Sequence, residues 1–354
     1  MTAVLLIAGL VVLVVGAELL VRGASRLAIA AGVSPLVVGL TVVAFGTSAP
    51  EMAASLGAAL AGSADLALGN VVGSNVFNVL GILGLSALVA PLAVATRLVR
   101  IDVPIVLAVS LAVVALAADG GIARWEGVLL LAFIVGHTAW LVSAARREER
   151  TTVELPVAAA RGAAAVVKAV VAVAAGLVAL VLGAGWLVDG AVAVASSLGV
   201  SERVIGLTLV AVGTSLPELA TSVVAAARGQ RDSAVGNVVG STLFNLTAVL
   251  GLAAVGSSTG VAVAGQALRV DLPVMVLTAV VCLPVFFTGF EVSRREGLAF
   301  LAAMAAYLGW VVADALGRDL PTAVTVAVAA FGIAALAATA LESARQLRRS
   351  RRRG

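Results

Sequence analysis

Charge is what this 354-residue chain has least of. Only 12% of its residues are Asp, Glu, Lys or Arg, against about 25% in an ordinary soluble domain. With 62% hydrophobic residues and a mean hydropathy of +1.16, a water-soluble globule is excluded and an all-α polytopic membrane protein is expected. The lone Cys282 rules out an intramolecular disulfide. No nucleophile–base pair and no cofactor motif is present, so neither an enzyme nor a cofactor is expected. The N-terminus lacks a basic n-region and Glu18 interrupts its first apolar run, which reads as a retained span and not a cleaved signal. The net charge of +4 comes mainly from RQLRRSRRR at 345–353. That tail suits a cytoplasmic anchor at anionic lipid, not nucleic-acid binding.

Runs of about 20 apolar residues, cut by short polar connectors, are what a bilayer requires of spanning helices. They give eleven predicted helices, at 3–21, 35–61, 65–89, 101–118, 124–144, 163–189, 203–227, 232–256, 270–288, 294–314 and 321–343. The chain also repeats itself. Residues 39–78 and 206–245, aligned without a gap at an offset of 167, share 25 of 40 positions. Gly9, Gly16, Gly23, Gly32, Val33 and Ser34 recur as Gly176, Gly183, Gly190, Gly199, Val200 and Ser201, and RIDVP at 100–104 returns as RVDLP at 269–273. The predicted layout is therefore a five-helix unit used twice. Residues 1–145 form the first unit, 146–162 a cytoplasmic loop, 163–315 the second unit, and 316–354 an extra helix with the basic tail.

Lys and Arg placement sets the orientation. With the N-terminus outside and the C-terminus inside, 19 basic residues fall on the inner side and 4 on the outer, which accounts for all 23. An odd number of spans per unit inserts the second unit upside down, the inverted repeat that many secondary transporters use for alternating access.

Each copy of the motif holds one carboxylate in a long apolar run. Glu51 is the only charged residue between Arg26 and Asp65, and Glu218 the only one between Arg203 and Arg228. A charge at that depth costs about 2.5–3.5 kcal/mol even on a lenient insertion scale, which marks a functional site. The surrounding GTSAPE (46–51) and GTSLPE (213–218) place Pro50 and Pro217 inside helices, where each removes a donor and frees a backbone acceptor. The carbonyls four residues back belong to Gly46 and Gly213, glycine loosens the helix further, and the carbonyls of Ala44, Thr47, Ala211 and Thr214 are the candidate ligands. Ser48, Glu51 and Ser55 are expected on one helix face, as are Ser215, Glu218 and Ser222. The partner motif GNVVGS at 69–74 and 236–241 adds Ser74 and Ser241, with Asn78 and Asn245 four residues on and small glycines for close helix approach. These are hard oxygen ligands, with no Cys or His, and suit Ca²⁺ or Na⁺ rather than zinc, copper or iron. Asp65, Asp232, Asp102 and Asp271 read as helix caps, Glu18 as interfacial or as a partner of Arg22 at i,i+4, and His137 as a helix contact.

The paired GTSxPE and GNxxGSxxxN motifs resemble the α-repeats of the Ca²⁺/cation antiporters, most closely the prokaryotic Na⁺/Ca²⁺ exchangers. The resemblance covers both five-helix units and is silent on the eleventh helix. It implies an exchanger in the inner (plasma) membrane, with Na⁺ and Ca²⁺ as transported ions. Glu51 and Glu218 would be the shared ligands, with Thr47 and Thr214 carbonyls completing the Ca²⁺ site. Ala44, Thr47, Ser74 and Glu218 would hold one flanking Na⁺, and Ala211, Thr214, Ser241 and Glu51 the other, with Ser48 and Ser215 beside them and Asn78 and Asn245 lining the middle. Asn at both of those last positions departs from relatives that carry Asp at one, including potassium-dependent ones, and Thr242 stands where the first copy has Asn75. The second motif lacks the acidic residue common in proton-coupled calcium exchangers. Ca²⁺/H⁺ antiport is the alternative, and a passive cation channel is the reading from a different class.

Overall fold

The computed structural model describes residues 2–31, 33–152, 163–199, 211–287 and 289–315. The helices, in chain order, are α1 (Thr2–Ala31), α2 (Pro35–Thr47), α3 (Ala49–Leu60), α4 (Leu66–Val89), α5 (Leu98–Asp119) and α6 (Arg124–Thr152). There follow α7 (Ala163–Ser197), α8 (Ala211–Thr214), α9 (Leu216–Ala227), α10 (Arg231–Gly256), α11 (Ala267–Phe287) and α12 (Arg294–Ala315). Among the described residues, eight helices are long and apolar enough to cross a bilayer, and α2 with α3 forms a ninth span bent by 43°. These nine coincide with nine predicted spans. The predicted span 203–227 is described only from Ala211, and the predicted helix 321–343, the basic tail and most of the 146–162 loop lie outside the described residues.

The helix boundaries follow from local chemistry. The Glu126 side chain accepts the Ala123 N–H at 2.7 Å at the start of α6, and Glu296 accepts the Ser293 N–H at 2.7 Å at the start of α12. In the second case the Ser293 hydroxyl accepts the Glu296 N–H at 3.4 Å, closing a capping box. Four two-residue strands were not legible in an all-helical pattern. They are β1 (Leu92–Ala93) paired with β4 (Glu291–Val292), and β2 (Gly121–Ile122) paired with β3 (Val261–Ala262), both antiparallel. Each pair satisfies the backbone of one connector with that of a connector from the other half of the chain.

α4 and α10 are the centre of the bundle, with 78% and 89% of their spans buried, against 33% for α1 and 22% for α7. Within them, Phe77–Leu83 and Asn245–Val249 are π-helical, a local widening often found at functional positions. α1 and α7 pack against each other in opposite directions. A Cβ built on Gly9 would lie 2.7 Å from the Leu187 nitrogen, and one on Gly16 2.7 Å from the Leu180 nitrogen. From the other side, a Cβ on Gly176 would lie 2.6 Å from the Leu20 nitrogen and one on Gly183 2.5 Å from the Leu13 nitrogen. The repeat-related glycines thus face one another and let two backbones touch. Gly236 and Gly240 do the same for α10 against α2, where a Cβ on Gly240 would lie 2.9 Å from the Leu40 carbonyl oxygen. The counterpart segment for Gly69 and Gly73, 203–210, is outside the described residues.

Several charged residues depart from the cap reading. Asp102 is buried and lies 3.6 Å from Arg97, and it makes no capping bond because α5 already begins at Leu98, which places Asp102 inside the helix. Asp232 sits in the first turn of α10, one residue past its opening Arg231. Glu18 pairs with Arg22 as anticipated, and also with Arg228 at the end of α9. His137 stacks between Phe133 and Trp140.

The glycine contacts make a direct prediction. Gly183→Ala forces a methyl against backbone that cannot rotate away, a small-to-large change costing about 1–3 kcal/mol. The purified variant should melt several degrees below the parent, while Gly185→Ala, with nothing within 4 Å of its Cβ position, should not. Equal melting temperatures would mean the contact gives way.

Candidate ion-binding site

Pro50 and Pro217 stand in the first turn after a break. The break residues are Ser48 (φ −81°, ψ 6°) and Ser215 (φ −91°, ψ 8°), both off the helical region. Across the first break the Ser48 N–H bonds to the Ala44 carbonyl and the Met52 N–H to the Ser48 carbonyl, each at 3.0 Å, so the ladder passes over the Thr47 carbonyl. Of the two carbonyls expected to be freed there, that of Ala44 is therefore already bonded. Across the second, the Ser215 N–H takes the Val212 carbonyl at 3.1 Å. Gly46 and Gly213 lie against α7, where a Cβ would meet Leu177 at 2.6 Å and Val188 at 2.3 Å. Glycine at these positions lets α7 close over both breaks.

The breaks turn each serine away from its own glutamate and towards the other copy's. The Ser48 hydroxyl donates to Glu218 Oε1 at 2.9 Å, and the Ser215 hydroxyl to Glu51 Oε1 at 2.8 Å. Ser215 also lies 3.1 Å from the Ser74 hydroxyl. Ser48, Glu51 and Ser55 are all buried, at 0%, 0% and 1% exposure, but Ser48 bonds the other copy's glutamate and not its own. Ser55 and Ser222 instead accept bonds from Asn70 and Asn237.

Glu51 and Glu218 are fully buried, at 0% and 1% exposure, and none of the ion pairs among the described residues includes either. Their second oxygens make no hydrogen bond within the described structure, nor do both polar atoms of Asn78, the Ser241 hydroxyl or the Asn245 carbonyl oxygen. Buried polar atoms without partners are rare and need a reason. Ser86, Thr221 and the Arg97–Asp102 pair also hold such atoms, as does Glu18, but those at the centre are oxygens or amides of the motif residues. Thr47 and Thr214 reach the opposite copy's Asn237 and Asn70 at 3.4 and 3.5 Å. Ala44 is fully buried beside them, and Ala211 opens α8. The site thus holds two carboxylates from two halves of the chain, crossed by serine hydroxyls, with unsatisfied oxygen donors around them. A desolvated cation with oxygen preference fits that chemistry.

The sodium/calcium exchanger protein family matches residues 1–142 and 168–313. The chain belongs to that family. It is 38% identical over 266 residues to inner membrane protein YrbG of Escherichia coli (strain K12), covering 71% of this chain and 78% of that protein. It is 31% identical over 339 residues to sodium/calcium exchanger MaX1 of Methanosarcina acetivorans, covering 86% and 96%. A solved structure of the sodium-calcium exchanger NCX_Mj, soaked with 10 mM Na⁺ and zero Ca²⁺, superposes with a TM-score of 0.75 at 30% identity, covering 89% of this chain and 98% of that one. Family and fold are those of membrane cation antiporters, not of enzymes.

Around these carboxylates, sequence reasoning passed over Asn70, Asn237 and Asn75. Asn70 Nδ2 donates to the Ser55 hydroxyl at 2.9 Å and the Glu51 carbonyl at 3.5 Å; Asn237 does the same to Ser222 at 2.9 Å and Glu218 at 3.4 Å. Asn75 accepts from Asn245 at 3.1 Å. The signal was in the GN of each GNVVGS, a polar residue duplicated in a buried helix, but its glycine neighbours drew the reading towards packing.

Proposed function

We propose that the chain is a Na⁺/Ca²⁺ antiporter that binds either ion at Glu51 and Glu218 by alternating access. The observation that carries this reading is the crossed pair of hydrogen bonds, Ser48 to Glu218 and Ser215 to Glu51. It joins two repeat-related carboxylates into one site, and no ion pair among the described residues neutralises either. Two carboxylates match the charge of one Ca²⁺, or of two Na⁺. Around them stand Thr47 and Thr214 carbonyls, the Ser74 and Ser241 hydroxyls, and Asn78 and Asn245. These give more oxygen positions than one Ca²⁺ uses, so Na⁺ ions flanking the glutamates and a central Ca²⁺ compete for the same ligands. Loading with either species neutralises the site and permits the protein to reorient; the empty, doubly charged site resists crossing an apolar barrier.

The opposite run of α1 and α7, which begin the two repeats, supports an inverted pair, and inverted pairs exchange inward and outward shapes by swapping the roles of the halves. The sodium/calcium exchangers MaX1 and NCX_Mj support Na⁺ as the driving ion. By the basic-residue bias the N-terminus is outside and the C-terminus in the cytoplasm of a cell whose inner membrane holds the protein.

In proteoliposomes, an imposed Na⁺ gradient should drive Ca²⁺ uptake, and Glu51→Gln or Glu218→Gln should each reduce it by more than about 100-fold, since unbalancing a buried charge set costs several kcal/mol. Uptake that ignores Na⁺ and follows a pH gradient would replace the reading with proton exchange, and near-normal flux in either variant would remove the site. For orientation, Arg352→Cys in a Cys282→Ser background should be shielded from impermeant thiol reagents in intact cells; labelling from outside would reverse the topology.

A further inference from the structure

The carboxamides of Asn70 and Asn237 stand apart from the proposed ion ligands, yet each touches three parts of the site. Asn70 Nδ2 reaches the Ser55 hydroxyl at 2.9 Å and the Glu51 carbonyl at 3.5 Å, one turn and no turn beyond the glutamate on the same broken helix. Its Oδ1 accepts from the Thr214 hydroxyl of the other repeat at 3.5 Å. Asn237 repeats every contact, to Ser222 at 2.9 Å, to the Glu218 carbonyl at 3.4 Å and to the Thr47 hydroxyl at 3.4 Å. The breaks at Ser48 and Ser215 remove ladder bonds that would otherwise fix the segments carrying the glutamates. One carboxamide per repeat replaces that restraint from the neighbouring helix, α4 for α3 and α10 for α9. Because Thr214 adjoins Ser215, and Thr47 adjoins Ser48, each carboxamide also joins its own glutamate's segment to the serine that reaches across to that glutamate.

We infer that Asn70 and Asn237 are positioning residues that hold each glutamate and the opposite repeat's Thr–Ser pair in register for the cation. The inference rests on the ion-site reading above. Residues of this outer kind change metal affinity by about 10–100-fold when removed.

The test uses the purified full-length protein, with equilibrium Ca²⁺ binding and the melting temperature of the Ca²⁺-free protein measured side by side. Asn70→Ala and Ser55→Ala should each weaken Ca²⁺ binding about tenfold per folded molecule, and the double variant should be no weaker than Asn70→Ala alone, because both remove the same link. Should Asn70→Ala fail to fold, Ser55→Ala and Asn237→Ala carry the comparison. Lowered melting temperatures with unchanged Ca²⁺ affinity would reduce the carboxamides to structural contacts and overturn the inference, as would losses that multiply in the double variant. Glu51→Gln is run alongside. If it binds Ca²⁺ like the parent, the ion-site reading fails and takes this inference with it. If it loses Ca²⁺ while Asn70→Ala does not, only the positioning role is overturned.

Discussion

Two buried carboxylates, with no ion pair to either among the described residues, shape the centre of this bundle. A buried charge is tolerated when it is paired, hydrogen-bonded or given an ion. Glu51 and Glu218 have one serine donor each and no ion pair among the described residues. The rest of the centre answers that deficit. The prolines break the helices so that serines can turn across, and the glycines of α10 bring it against α2. The paired asparagines hold the loosened turns.

Duplication explains why the deficit is met twice in the same way. The Ser48–Glu218 and Ser215–Glu51 bonds are one contact seen from two sides, as are the Asn70 and Asn237 clusters and the facing glycines of α1 and α7. A single unit would leave its serine and threonine aimed at nothing. The pair completes itself, and small departures from symmetry then become informative: Asn245 donates to Asn75, whereas Thr242 stands at the equivalent position opposite Asn78, and the Asn78 carboxamide has no partner among the described residues. Glu18 has no counterpart at Gly185, and its ion pair to Arg228 at the end of α9 has no repeat-related equivalent among the described residues.

Much of this was legible in the sequence because hydrophobic runs and an ungapped repeat are one-dimensional signals. Nine spans, the breaks at Pro50 and Pro217, and the residues gathered at the centre followed from them. What escaped was three-dimensional. The swap of serines between repeats depends on a kink falling at Ser48 rather than one residue away. The strand pairs depend on which connectors meet. Asp102 reads as a cap because Pro104 follows it, whereas the helix begins at Leu98, ahead of both. The bonds of Asn70 and Asn237 to Ser55 and Ser222 depend on how α4 meets α3 and α10 meets α9.

The central claim is that one site serves both ions in turn, and equilibrium binding tests it most directly. Titration calorimetry of the purified protein should count one Ca²⁺ per chain, with an apparent affinity that falls steeply and cooperatively as Na⁺ rises. Calcium binding that is indifferent to Na⁺, or that persists when Glu51 and Glu218 are both replaced by glutamine, would contradict it.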